Sequence, residues 1–188
     1  MNISPDTLSV GNKQSADILL TADAVITMND AYDLHCPGAV VVQGDSIVAV
    51  GPKDEIVETF ESAYTLHAGN AIIMPGLINA HGHAPMTLLR GLADDLRLDV
   101  WLMGYMMPVE REFVTPTFCW LGTQLAAVEM IRSGTTTFMD MYYFEDMVAQ
   151  ATAEAGLRAV CAQTILKFKA PDALTYEEAL ASSEALIK

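Results

Sequence analysis

The stretch from Ala71 to Arg90, AIIMPGLINAHGHAPMTLLR, constrains this chain more than any other. Ile72, Ile73 and Met74 form an apolar run, Pro75 and Gly76 interrupt it, and Leu77 and Ile78 resume it ahead of His81-Gly82-His83. Along an extended segment, residues two apart point to the same side. If Leu77 to His83 is extended, His81 and His83 project together with only glycine between them. Paired imidazoles where a buried strand opens into a loop are ligands for a borderline-soft cation such as zinc, whose nitrogen ligands sit about 2.0–2.1 Å away. Two histidines at this spacing also arise by chance. What distinguishes this pair is its setting: an apolar strand, a Pro-Gly lead-in, and Ala84-Pro85 immediately after.

At these residues the chain resembles the amidohydrolase superfamily, whose first barrel strand carries PG[LF]xxxHxH. The continuation HAPMTLLRGLADDLRLDVWL is similar to the branch of 5-methylthioadenosine/S-adenosylhomocysteine deaminases and related chlorohydrolases. The resemblance implies an α/β fold: the N-terminal part of a TIM-like (β/α)8 metal-dependent hydrolase barrel, with a small β-sandwich domain formed by the N-terminal strands. It implies a divalent metal, zinc before others, with His81 and His83 as two of its ligands. It also implies an aminohydrolase (deaminase) reaction, in which metal-bound hydroxide attacks an adenosine-type or other amine-bearing heterocycle. Glu110 in WLMGYMMPVERE matches the glutamate of the deaminases' WLxxxxxPxE segment, which binds ribose hydroxyls; a carboxylate can accept two hydrogen bonds from a vicinal diol. On residues alone, Glu110 beside Arg111 and Glu112 reads as a solvated helix-end charge.

Other residues of the motifs carry plainer readings. Asp140, in GTTTFMDM, reads as orienting a neighbour or capping the next loop rather than as a metal ligand. Tyr142 and Tyr143 either line a pocket or pack over the barrel rim. Trp101 reads as a helix anchor, Arg90 as a partner of Asp94 or Asp95, and His35 and His67 as structural. After the third barrel strand, ILKFKAPDALTYEEAL has Lys167 and Lys169 but none of the arginine that the nucleoside deaminases carry there. The identity of the heterocycle therefore stays open.

The rest of the chain divides into a flexible leader (1–16), a β-sandwich segment (17–70) and the first part of a barrel (71–188). Ile18 to Met28 reads as a strand, and Gly38 to Gly51 as a hairpin turning at Gly44-Asp45. Asp54 to Phe60 reads as a short helix and Tyr64 to His67 as a strand. From Ile72 the pattern alternates strand and helix, which predicts βαβ units and a parallel sheet. Helical pieces are expected at Pro85–Leu92 and Val100–Met107. Thr115-Pro116 marks a helix start, capping hydroxyl then proline, and Gly134 its end. Phe118, Leu121, Leu125, Val128 and Ile131 follow the spacing of one buried face. Strands at Thr135–Met141 and Arg158–Thr164 flank a helix at Glu145–Ala155 closed by Gly156, and a last helix covers Thr175–Lys188. Three such strands do not close an eight-stranded barrel, which takes about 250 residues, and no histidine follows His83. The reading is an N-terminal portion whose further ligands and general acid/base lie beyond Lys188.

Composition narrows the partners. With 52% hydrophobic and 18% charged residues the chain is globular. A net charge of −14 argues against nucleic acid and anionic membrane surfaces as partners, which leaves a small-molecule substrate and, beyond it, homo-oligomerisation as an open matter. Cys36, Cys119 and Cys161, widely spaced and without a CxxC, read as reduced core cysteines of a cytoplasmic protein. No apolar run reaches the length of a transmembrane helix. Two rival readings remain: a chlorohydrolase or cyclic-amide hydrolase of the same superfamily, and a non-catalytic fragment or degenerate homologue.

Overall fold

The computed structural model describes residues 13–187, which divide into two compact units between Pro75 and Gly76. The first contains strands β1 (Gln14–Ile26), β2 (Leu34–His35), β3 (Gly38–Gln43) and β4 (Ser46–Pro52), helix α1 (Lys53–Thr59) and strand β5 (Phe60–Ile73). β1 is its spine. It pairs antiparallel with β3, Leu20 opposite Val40, and parallel with β5, Leu20 opposite Leu66. β3 and β4 form the expected hairpin, with Gln43 facing Ser46 across Gly44-Asp45. Gly44 has φ 60°, a left-handed conformation that glycine adopts without a Cβ penalty. Ala16, Leu19, Ala39, Val41 and Ile56 make the core of this unit. His67 shares a 2.8 Å hydrogen bond between its Nδ1 and Thr21 Oγ1, and His35 pairs with Val25, so both histidines serve the sheet. β1 begins at Gln14, which makes residues 14–16 of the expected leader part of the sheet; residues 1–12 lie outside the described residues.

The second unit contains β6 (Leu77–Asn79), a 3-10 segment (Ala84–Leu89), α2 (Leu98–Val100), a π segment (Trp101–Met106), α3 (Met107–Phe113), α4 (Pro116–Arg132), β7 (Thr135–Tyr142), α5 (Glu145–Ala155), β8 (Arg158–Gln163) and α6 (Tyr176–Ile187). Its sheet is β6-β7-β8, parallel throughout, with Asn79 beside Phe138 and Asp140 beside Cys161. That is the strand-helix-strand arrangement expected of the opening of a TIM-barrel-like α/β fold. Phe138 points inward from β7 to meet Ala84, Ala126 and Val148. Among the described residues no helix is long and apolar enough to cross a membrane.

Thr115 caps α4 as expected: its Oγ1 accepts the Phe118 N–H at 3.1 Å, and Pro116 opens the first turn. Gly134, φ 80°, follows the last turn. Replacing Thr115 with alanine leaves that N–H without its acceptor and is expected to lower stability by about 1 kcal/mol, the usual loss for a capping hydroxyl; chemical denaturation of the two proteins measures it.

Five expectations are corrected. The helix beginning near Val100 continues through α3 to Phe113 rather than stopping at Met107. β6 ends at Asn79, so the His-Gly-His triplet lies on the loop beyond the strand. Arg90 forms a two-pronged salt bridge with Glu129, at 2.8 and 2.7 Å, rather than pairing with Asp94 or Asp95. Finally, α4 is turned about its axis relative to the apolar stripe. Leu121, Leu125, Val128 and Ile131 are exposed, and the buried side carries Cys119, Gly122, Thr123, Ala126 and Ala127. Close approach is the reason. A Cβ on Gly122 would lie 2.4 Å from the Pro85 carbonyl oxygen, so only short side chains fit on that side. Cys36 is likewise exposed rather than in a core, while Cys119 is buried, Cys161 half-buried, and all three are free thiols.

Candidate metal centre and substrate cavity

β6 delivers the chain to the end of the sheet and stops, and the next residues fold back against the end of β7. Met141 N–H donates to Gly82 O at 3.3 Å, and Ala84 N–H donates to Asp140 Oδ1 at 2.5 Å. Between these bonds, His83 Nδ1 lies 2.7 Å from Met141 O. A carbonyl oxygen only accepts, so Nδ1 carries the proton, and the Nε2 lone pair is left free for a ligand role. A backbone carbonyl holding the second ring nitrogen is the usual support of a metal-binding histidine. The rings of His81 and His83 meet edge-on with centroids 5.1 Å apart. Gly82 sits closely packed between them, where a Cβ would come within 3.3 Å of Met139 O. The donor set, two imidazoles with one tautomer set by the fold, fits a zinc-like ion as two of the four ligands such an ion takes. Among the described residues no group of three or more His, Cys, Asp or Glu side chains could hold a metal.

Glu110 reaches the same region from α3. It is only 5% exposed, which overturns the solvated helix-end alternative. Its Oε1 accepts the Tyr142 hydroxyl at 2.9 Å and its Oε2 the Tyr143 hydroxyl at 3.3 Å. Burial, reinforced by the Glu110 carboxylate, pushes both phenols up, so they remain donors at any physiological pH. Each carboxylate oxygen keeps a further lone pair for a ligand. A cavity of about 240 Å³ joins these groups, its wall including His83, Trp101, Glu110, Tyr142, Tyr143 and Phe168. His83 and Glu110 are its acid–base groups apart from the two tyrosines; the rest of the lining is largely aromatic and aliphatic. Adjacent tyrosines on a strand would point to opposite faces. Both reach Glu110 because β7 ends at Tyr142 and Tyr143 lies past it. That joint role was not legible in the sequence, and neither was the polar web behind it. There, Glu145 N–H donates to Gln163 Oε1 at 3.2 Å, Gln163 Nε2 donates to Asp172, and Phe144 N–H donates to Asp172 Oδ2 at 3.4 Å.

Asp140 and Glu145 are both fully buried at the end of β7 and the start of α5. Among the described residues, Asp140 Oδ2 and both Glu145 carboxyl oxygens lack a hydrogen-bond partner. Burial first, and then the nearby Asp140 charge, push the Glu145 carboxyl up to about 9; burial raises Asp140 as well. The folded state thus binds the Glu145 proton more tightly than the unfolded chain does. The resulting stabilisation is complete below the ordinary carboxylate range and is lost as pH rises toward about 9. Thermal melts of the native protein are expected to fall between pH 6 and pH 9, and Glu145→Gln, which cannot ionise, is expected to flatten that decline. Equal slopes in the two proteins would show that Glu145 does not titrate in this window.

Comparison with known proteins places the chain in a family. Residues 72–188 match the model of the amidohydrolase family. A 5-methylthioadenosine/S-adenosylhomocysteine deaminase of Syntrophobacter fumaroxidans is 45% identical over 92% of this chain and 39% of its own length. The 5-methylthioadenosine/S-adenosylhomocysteine deaminase 1 of Syntrophus aciditrophicus is 38% identical over 93% of this chain and 39% of its own length. Among solved structures, an adenosine deaminase from Xanthomonas campestris with bound zinc superposes with a TM-score of 0.88 at 38% identity, covering 93% of this chain and 40% of that one. An atrazine chlorohydrolase from Arthrobacter aurescens shares the fold, with a TM-score of 0.75 at 22% identity over 90% of this chain and 42% of its own. The chain spans 39% of the length of both curated relatives.

Proposed function

Because this chain belongs to the amidohydrolase family, we propose that it supplies the opening part of a metal-dependent aminohydrolase acting on an adenosine-type or other amine-bearing heterocycle. The observation that carries the reading is the placement of two different groups on one cavity. His83, whose Nε2 is left free, lines its wall at one point, and the buried Glu110 lines it at another. His81 and His83 would hold the ion, zinc by the chemistry of the imidazole pair and by the zinc found in the Xanthomonas relative. When bound, such an ion supplies acidified water, with a pKa brought toward about 7. The chain's own contributions are the fixed tautomer of His83, a largely apolar wall for the heterocycle to pack against, and Glu110 as acceptor for substrate hydroxyls. The further metal ligands and the proton-shuttling carboxylate would come from other strands of a complete (β/α)8 barrel. The five-stranded N-terminal sheet would form one layer of the accompanying β-sandwich.

The test is ammonia release by the complete, zinc-loaded protein from adenosine-type nucleosides. Glu110→Gln is expected to raise KM for a nucleoside at least about tenfold, the loss of a charge-assisted hydrogen bond of about 1.5–3 kcal/mol. It should leave a heterocycle without the ribose diol unaffected. An equal KM for the nucleoside in both proteins removes Glu110 from the substrate site. Release of chloride from a chlorinated heterocycle, with none of ammonia, would favour the chlorohydrolase reading instead.

A further inference from the structure

The end of β7 grips the His-Gly-His loop at three successive residues. Met141 N–H donates to Gly82 O, His83 Nδ1–H donates to Met141 O, and Ala84 N–H donates to Asp140 Oδ1. Met141 enters the first two through its backbone, so no change of its own side chain removes them. The third depends wholly on Asp140, which is fully buried and placed beside Gly82 as well, 3.6 Å from where a Cβ on that glycine would stand. Register explains why it is there. Asn79 pairs with Phe138, so two residues further along β7 Asp140 stands level with the loop that leaves β6. We propose that Asp140 is a positioning residue for the metal centre: its carboxylate anchors the Ala84 amide and thereby holds the His83 imidazole against Met141 O with Nε2 facing the ion. It is not itself a ligand. This rests on the metal-site reading above.

The two roles make opposite demands on the side chain. An anchor needs one oxygen acceptor for the Ala84 N–H, and an asparagine Oδ1 keeps it, whereas a ligand needs the anionic oxygen. Zinc affinity of the complete protein, measured by competition with a chromophoric chelator, separates them. Asp140→Asn is expected to bind zinc within about threefold of the native protein, and Asp140→Ala about 10–100-fold more weakly, the range for loss of an outer-shell partner. The cobalt(II)-loaded D140A protein is expected to show an altered visible absorption spectrum, and D140N the native one. Loss of more than about tenfold in D140N overturns the proposal in favour of direct ligation, and native affinity in D140A overturns it outright.

Hydrogen exchange on the metal-free native protein keeps the proposal testable should D140A not fold. The Ala84 amide is expected to be the most protected of residues 80–84. Exchange there as fast as at Ala80 would remove the anchor. His83→Ala serves as the reference for the site: if it binds zinc like the native protein, the metal-site reading fails, and with it the positioning role. A loss in H83A with none in D140A sinks only the latter.

Discussion

Replacing His83 with alanine is expected to lower the zinc affinity of the complete protein by more than about a hundredfold, since loss of an outer-shell partner alone costs about 10–100-fold. The expectation comes from the way the ring is held. With Nδ1–H committed to Met141 O at 2.7 Å, the imidazole has one tautomer and one orientation, and its Nε2 lone pair is presented without reorganisation. Removing it would take away one of the two proposed nitrogen ligands together with the bond to the Met141 carbonyl. His67→Ala is the matched control. That ring is already bonded to Thr21 within the N-terminal sheet, and its loss is expected to leave zinc affinity unchanged. Chelator competition on the three proteins decides the matter. Binding by H83A within threefold of native would remove His83 from the metal centre.

The second large effect concerns stability. Gly122→Ala places a Cβ 2.4 Å from Pro85 O, 2.8 Å from its Cα and 3.0 Å from its carbonyl carbon, all backbone atoms that cannot rotate aside. In an exposed helix interior the same change would stabilise by about 1 kcal/mol. Here the overlap must separate α4 from the 3-10 segment and break the 2.8 Å bond from Thr87 Oγ1 to Gly122 O. Overpacking of this kind costs about 1–3 kcal/mol or more, which outweighs the helical gain. The expected result is a net loss, at about 2–4 °C of Tm per kcal/mol for a chain of this size. Gly104→Ala sets the opposite sign, because nothing lies within 4 Å of a Cβ there; it should melt at or above the native temperature. If G122A melts as high as G104A, the close approach of α4 to Pro85 is wrong.

These two sites also show where reading the chain unaided succeeds and where it stops. Thr115-Pro116, Gly44-Asp45, Gly134 and Gly156 mark boundaries through local chemistry: a hydroxyl acceptor for a free amide, a ring that presets φ, a residue without a Cβ penalty. Such signals act within a few residues, and the elements they bound stand where expected. The inward side of α4 is a different matter. Periodicity identifies an apolar stripe, but which side of a helix faces the sheet depends on how near the two can come. The stripe of Leu121, Leu125 and Val128 lost to the flank bearing Gly122 and Ala126 because Pro85 lies so close.

The candidate site divides along the same line. The spacing of His81 and His83 with glycine between them, and the lead-in that ends a strand just before them, are properties of one short segment, so the sequence alone determined that this chain carries paired imidazoles where a strand opens. Alternation along β6 was not what joined the two rings, since the strand stops at Asn79. Only the tertiary structure decided what surrounds them. Asp140, Met141, Tyr142 and Tyr143 come from β7 and the turn after it, and Glu110 from α3. Parallel pairing of β6 with β7 brings Asp140 and Met141, nearly sixty residues distant, within hydrogen-bond reach of His83 and Ala84. Hydrogen bonds and charge burial act over a few ångströms of space, whatever the separation along the chain. Residue type therefore set which groups could bind a metal, and packing set the tautomer, the neighbours and the proton each one keeps.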